Sequence, residues 1–142
     1  MKRAIFFLTV TFLTNLVGMY YGLYDFWWFD ISLHFLGGFF MAMLFGFYFV
    51  NTKFSSEREC WLAIVGAVTF IGVMWELAEY TAAQTLIEPL YDNFGFRAYF
   101  IGDMDDTIKD LLMDVFGAFA WLILFKKSIR NCVLSLFRSV LL

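Results

Sequence analysis

The sequence predicts an all-α integral membrane protein. Four transmembrane helices carry both termini on the cytoplasmic side, and a C-terminal amphipathic helix lies on the membrane surface. Three observations lead there. The 142-residue chain is 62% hydrophobic and 23% aromatic with a single proline, more apolar surface than a soluble domain of that size can bury. Four apolar stretches approach the ~20 residues that a helix needs to cross a bilayer. The basic residues sort to one side: eight (Lys2, Arg3, Lys53, Arg58, Lys126, Lys127, Arg130, Arg138) flank one set of span ends, against Arg97 and Lys109 at the other. By the positive-inside rule the basic side is cytoplasmic. The net charge of −3 averages over two unlike faces.

The first span is expected over 4–23, behind Lys2 and Arg3. A cleaved signal peptide is the alternative, but Leu16, Val17, Gly18, Met19 and Tyr20 make a poor small-residue cleavage site, so the helix is read as retained. The outer loop 24–30, with Tyr20, Tyr21, Tyr24, Phe26, Trp27, Trp28 and Phe29 around it, reads as an aromatic belt at headgroup level. The second span, 31–50, carries the small-residue ridge Gly38, Ala42 and Gly46, which permits close approach of a neighbouring helix. Gly66 in the third span (60–86), and Gly117 and Ala120 in the fourth (107–125), are expected to serve the same packing. The outer loop 87–106 holds the proline and an aromatic run and is expected to fold back over the outer mouth of the bundle. Residues 128–142 divide into a polar half with Arg130 and Arg138 and an apolar half with Ile129, Val133 and Phe137, as a surface helix does. Little chain is left for a separate soluble domain, so 1–142 reads as one membrane domain. Cys60 and Cys132 map to the cytoplasmic side, without the partners of a zinc motif.

Against this apolar background the ionisable residues coincide at the outer end. Asp30 and His34 are spaced i,i+4, Glu76 and Glu79 i,i+3, and Asp106, Asp110 and Asp114 i,i+4,i+8. Each set projects from one helix face. At 1.5 Å rise per residue, roughly one to three turns from the outer ends, they fall at a similar depth. Ionisable groups within apolar spans are costly and mark function by default. Some have plainer uses: Asp103 and Asp105 suit a helix N-terminus, where aspartate caps free N–H groups. Asp110 and Asp114 lie beyond the first turn, so capping does not account for them. His34 is the only histidine in the chain, and Asp30 is positioned to orient its ring from behind.

Taken in order, Asp30-x3-His34-Phe35, Trp75-Glu76-x2-Glu79, Gly102-Asp103-x2-Asp106-Thr107-x2-Asp110 and Gly117-Ala118 resemble the YjdF-type family of uncharacterised bacterial inner-membrane proteins. More distantly they are similar to VanZ-like membrane proteins, associated with glycopeptide resistance. Asp110-x3-Asp114-x2-Gly117 follows that group's final motif, with Asp114 replacing Asn and Glu79 replacing Gln. The resemblance implies a multi-pass protein of the bacterial inner membrane and reinforces the choice of residues. It supplies no reaction.

The residues themselves point to a divalent cation (Mg, Mn, Ca, Fe or Zn), held by His34, Glu76, Glu79, Asp106, Asp110 and Asp114 with Asp30 in support. If the protein is an enzyme, His34, Glu76 and Asp110 are the catalytic candidates of a metal-dependent hydrolase or transferase. The depth of the site suggests a lipid or lipid-linked envelope precursor as substrate, with Arg97 available to an anionic headgroup. Two other readings stay open: a hydrogen-bonded clasp that fixes the bundle or docks a partner, and a proton- or cation-coupled transporter, which with four helices requires a homo-oligomer. Nothing in the chain suggests nucleic acid; the expected surroundings are the lipid bilayer.

Overall fold

A computed structural model describes residues 1–95, 99–100 and 102–125. Among these residues the chain is all helical: α1 (Lys2–Tyr21), α2 (Trp27–Tyr48), α3 (Glu57–Thr85), α4 (Ile87–Phe94) and α5 (Met104–Leu124). The expected surface helix at 128–142 and Arg97 lie outside the described residues.

Local chemistry sets the element ends. Gly22 closes α1 in the left-handed region (φ 70°), its N–H donating to the Gly18 carbonyl, the conformation that glycine adopts without steric cost. A 3-10 turn over Leu23–Asp25 follows, and α2 starts at Trp27. The segment expected to be an outer loop at 24–30 is therefore mostly helix, and its aromatics divide. Trp27 and Trp28 face outward, whereas Phe29 is buried with its ring against Gly18. At the start of α3 the Glu59 N–H donates to Ser56 Oγ (3.2 Å), while the Ser55 N–H donates to the Glu59 carboxylate (2.8 Å), a reciprocal cap. The region 87–106 is likewise not all loop. Pro89 falls in the first turn of α4, where its missing N–H is harmless, and Gly95 (φ 63°) ends the helix.

α2 is the centre of the bundle and packs against α5, α3 and α1. Its approach to α5 is backbone on backbone. A Cβ at Gly38 would run into the main chain of Asp114, and one at Gly117 into the main chain of Phe35 and Phe39. Lower down, Gly46 lies beneath the Trp121 ring. Around this seam sits a core of Ala42, Cys60, Ile64, Val68, Ala118, Trp121 and Leu122. The ridge on α2 packs as expected, but Gly66 meets nothing within 4 Å, and Ala118 rather than Ala120 is the fully buried alanine of α5. The α5 stripe follows Asp114, Gly117, Ala118 and Trp121, one helical face.

Among the described residues, three helices (Lys2–Tyr21, α2 extended to Asn51, and Glu57–Thr85) are long and apolar enough to cross a membrane. α5 has 21 residues but carries Lys109, Asp110 and Asp114. Large apolar side chains stand exposed around the bundle, Phe6, Leu62, Phe70, Phe116 and Ile123 among them, as on a surface that lipid covers.

The seam makes two glycine-to-alanine substitutions opposite in sign. Gly38→Ala is expected to lower stability by about 1–3 kcal/mol, because overpacked backbone has to move apart. Gly66→Ala is expected to raise it by up to about 1 kcal/mol through helix propensity alone. Thermal unfolding in detergent measures both.

Candidate metal centre

The first turns of α2 bring Asp30 and His34 inward, one above the other, because residues four apart share a helix face. Facing them, α3 presents Glu76 and Glu79, and α5 presents Asp110 and Asp114. His34 is the hub. Its Nδ1 lies 3.5 Å from Asp114 Oδ2. Its Nε2 lies 3.7 Å from Asp30 Oδ1 and 3.8 Å from Glu76 Oε1. These are ion-pair separations, longer than a formed hydrogen bond.

Four members are nearly sealed from solvent: His34 is 7% exposed, Glu76 6%, Asp110 4% and Asp114 6%. Two carboxylate oxygens in that set, Glu76 Oε1 and Asp110 Oδ1, are buried and have no hydrogen-bond partner among the described residues. Orphaned buried acceptors are costly. Ligand atoms of Asp30, His34 and Asp110 lie within 4.8 Å of one another, as do those of His34, Glu76 and Glu79. Atoms that share one cation at about 2.0–2.6 Å are no more than about 5 Å apart, so each group has the dimensions of a cation's ligand set.

Small residues make the room. Gly37 and Gly72 flank the Asp114 carboxylate from α2 and α3, and a Cβ at Gly72 would collide with Asp114 Oδ2. The Thr107 hydroxyl lies beside Glu76, and the Trp75 side chain beside Glu79. A lid of tyrosines covers the outer side. Tyr24 and Tyr99 approach ring to ring at 5.5 Å. Tyr24 neighbours Asn15, a buried amide on α1, and Tyr99 reaches Asp106. Burial raises the pKa of both phenols, and the nearby carboxylates add to it: Asp30, Glu79 and Asp110 at Tyr24, Asp106 and Asp30 at Tyr99. Both hydroxyls therefore stay protonated at neutral pH.

Most of the residues singled out by sequence meet here: Asp30, His34, Glu76, Glu79, Asp110 and Asp114. Asp106 belongs to neither ligand group and packs its carboxylate against Gly102. Asp103 is the N-cap of α5, accepting from the Asp106 N–H at 3.0 Å. Asp114, not Asp30, faces Nδ1, while Asp30 shares the Nε2 side with Glu76. Gly72 and Asn15 do not figure in the sequence reading, Thr107 figures there only within the quoted motif, and Tyr24 only as an interfacial aromatic. Asn15 carried a readable signal as a lone amide in an apolar span, and Gly72 lies one turn before Glu76.

The family described as "Predicted membrane protein (DUF2238)" matches residues 2–131. The chain belongs to that family. It is accordingly a membrane protein, in contact with lipid through its apolar helices, and the resemblance to YjdF-type proteins is consistent with this membership. A protein of Thermotoga maritima, described as uncharacterized, is 32% identical over 117 residues, covering 76% of this chain and 53% of the relative. The chain thus spans about half the length of that relative. No solved structure matches.

The carboxylate surplus yields a prediction for protein freed of metal by a chelator. Asp110→Asn removes one like charge from a buried site and is expected to raise the unfolding temperature, by the equivalent of about 1–3 kcal/mol. With Mn²⁺ added, the order is expected to reverse. A lower unfolding temperature for the variant in both conditions would mean that the Asp110 carboxylate serves as a structural clasp.

Proposed function

We propose that this protein binds a divalent cation on the Nε2 side of His34, with Glu76 and Asp110 as principal ligands and Asp30 and Glu79 completing the set. One observation carries the proposal: two nearly sealed carboxylates from different helices, Glu76 and Asp110, each keep an oxygen with no hydrogen-bond partner among the described residues, and each belongs to a ligand group that includes His34. Asp114, facing Nδ1, suits the role of the carboxylate that orients a metal-bound histidine. Oxygen ligands with one nitrogen fit Mg²⁺, Mn²⁺, Ca²⁺ or Fe²⁺, and Zn²⁺ is compatible.

In this reading α5 is a fourth span. Its Asp110 and Asp114 turn inward, while Leu112, Phe116 and Ile123 face out. The eight basic residues on one side support both termini in the cytoplasm and the site in the outer leaflet, and the membrane proposed is the bacterial inner membrane. The motif likeness to VanZ-like proteins accords with an envelope role. The substrate class proposed is a lipid or lipid-linked envelope precursor. A bound cation would supply polarisation of a carbonyl or phosphoryl oxygen, or an activated water. Glu79, half-exposed at the rim, is placed to exchange a proton with substrate.

Metal content by mass spectrometry on chelator-rinsed, cation-reloaded protein tests the site. Near-stoichiometric metal is expected in the wild type, with occupancy lost in Glu76→Ala and Asp110→Ala. His34→Gln is expected to weaken binding by roughly 10–100-fold. Folded wild type that takes up no cation would overturn the proposal.

A further inference from the structure

Below the carboxylates, on the side away from the tyrosine lid, α1, α2 and α3 line a half-open cavity of about 250 Å³. It exists because α1 and α3 both lean on α2, leaving a gap that is bridged at the Phe12–Trp75 edge contact (6.1 Å). The walls are apolar, formed chiefly by Leu8, Phe12, Met41, Val68, Ile71 and Trp75. The Thr11 hydroxyl is already committed to the Phe7 carbonyl. Only one end is ionisable, and that end is His34 with Asp114. The cavity and the site therefore share two residues.

We propose that this cavity seats the end of one hydrocarbon tail, from a membrane amphiphile whose polar head lies against His34 and Asp114. The chemistry at the head rests on the metal-site reading above; the seat of the tail does not. Direction supports the assignment. From His34 the cavity follows α2 to Met41, seven residues or about 10 Å toward the middle of the span. An amphiphile in the leaflet nearest the carboxylates lies in the same sense, head at the surface and tail toward the midplane. Filling supports it too. Its mainly apolar walls give water few partners, and at this depth the available filler is hydrocarbon. Size limits the occupant: the cavity falls below the roughly 300–1,000 Å³ of pockets that take a drug-sized molecule, so it accepts a chain end and not a whole lipid. Charge selects the head. Beside so many carboxylates an uncharged or cationic group is favoured, and an anionic one needs the bound cation.

The probe is a neutral one, hexadecanol bearing a diazirine at its chain end, photolysed with wild-type protein in phosphatidylcholine vesicles and mapped by peptide mass spectrometry. Adducts are expected to concentrate on the less exposed wall residues Leu8, Thr11, Val68 and Trp75 over the outward Phe6, Phe70 and Leu77, which sample bulk lipid. Thr11→Phe is expected to reduce cavity labelling about tenfold by filling the space, and Ile71→Phe provides the same test from the opposite wall. Even labelling of inward and outward residues would overturn the proposal, as would cavity labelling undiminished in both folded variants. Metal content measured on the same wild-type sample separates the two readings. Labelling without metal keeps the tail seat and sinks the metal site, and metal without labelling does the reverse.

Discussion

The close approach of α2 and α5 is the constraint on which the rest depends. Gly38 and Gly117 lie on each other's helix backbones with no space for a methyl group. Where lipid surrounds the helices, little hydrophobic force drives one against another, and association relies on this kind of tight contact. The consequence for the site is direct. Gly38 lies one turn beyond His34, and Gly117 one turn beyond Asp114, so the glycine contact fixes the distance from imidazole to carboxylate. α3 completes the arrangement through Gly72, which admits Asp114 and holds Glu76 one turn further along.

Electrostatics oppose the geometry that packing imposes. Five carboxylates surround one histidine at the end of an apolar bundle, and four of the six groups are nearly sealed from water. Like charges at such separations repel strongly in a low dielectric, and one removed partner leaves the others uncompensated. The cluster requires protons or a cation to balance it. Glu76 and Asp110 each keep a buried oxygen with no hydrogen-bond partner among the described residues, which leaves room for either. A site that is costly to assemble and incomplete in its own hydrogen bonds has the character expected of function.

The sequence made the helices and the participants legible, and their roles less so. Apolar length reveals the three candidate spans directly, because the bilayer sets a length scale. Helix spacing likewise identified Glu76 with Glu79 and Asp110 with Asp114. The departures arise where information resides between helices. Whether Asp30 or Asp114 faces Nδ1 depends on a ring rotamer and on which helix packs behind it. The burial of Phe29 depends on a glycine in α1, and the open surroundings of Gly66 on the absence of a neighbour at that face. The helix α4 was hidden by its proline, a residue that ends helices in most positions but is tolerated in the first turn. The cavity had no signature in the sequence, since it is a gap between two helices that both prefer a third.

The centre is tested most directly by pulsed electron paramagnetic resonance of the Mn²⁺-loaded protein in lipid nanodiscs. One bound Mn²⁺ coupled to a single imidazole nitrogen is expected, which in this chain can only be that of His34, with the coupling absent in His34→Gln. Bound Mn²⁺ without nitrogen coupling, or with coupling that survives the substitution, would contradict a centre built on His34.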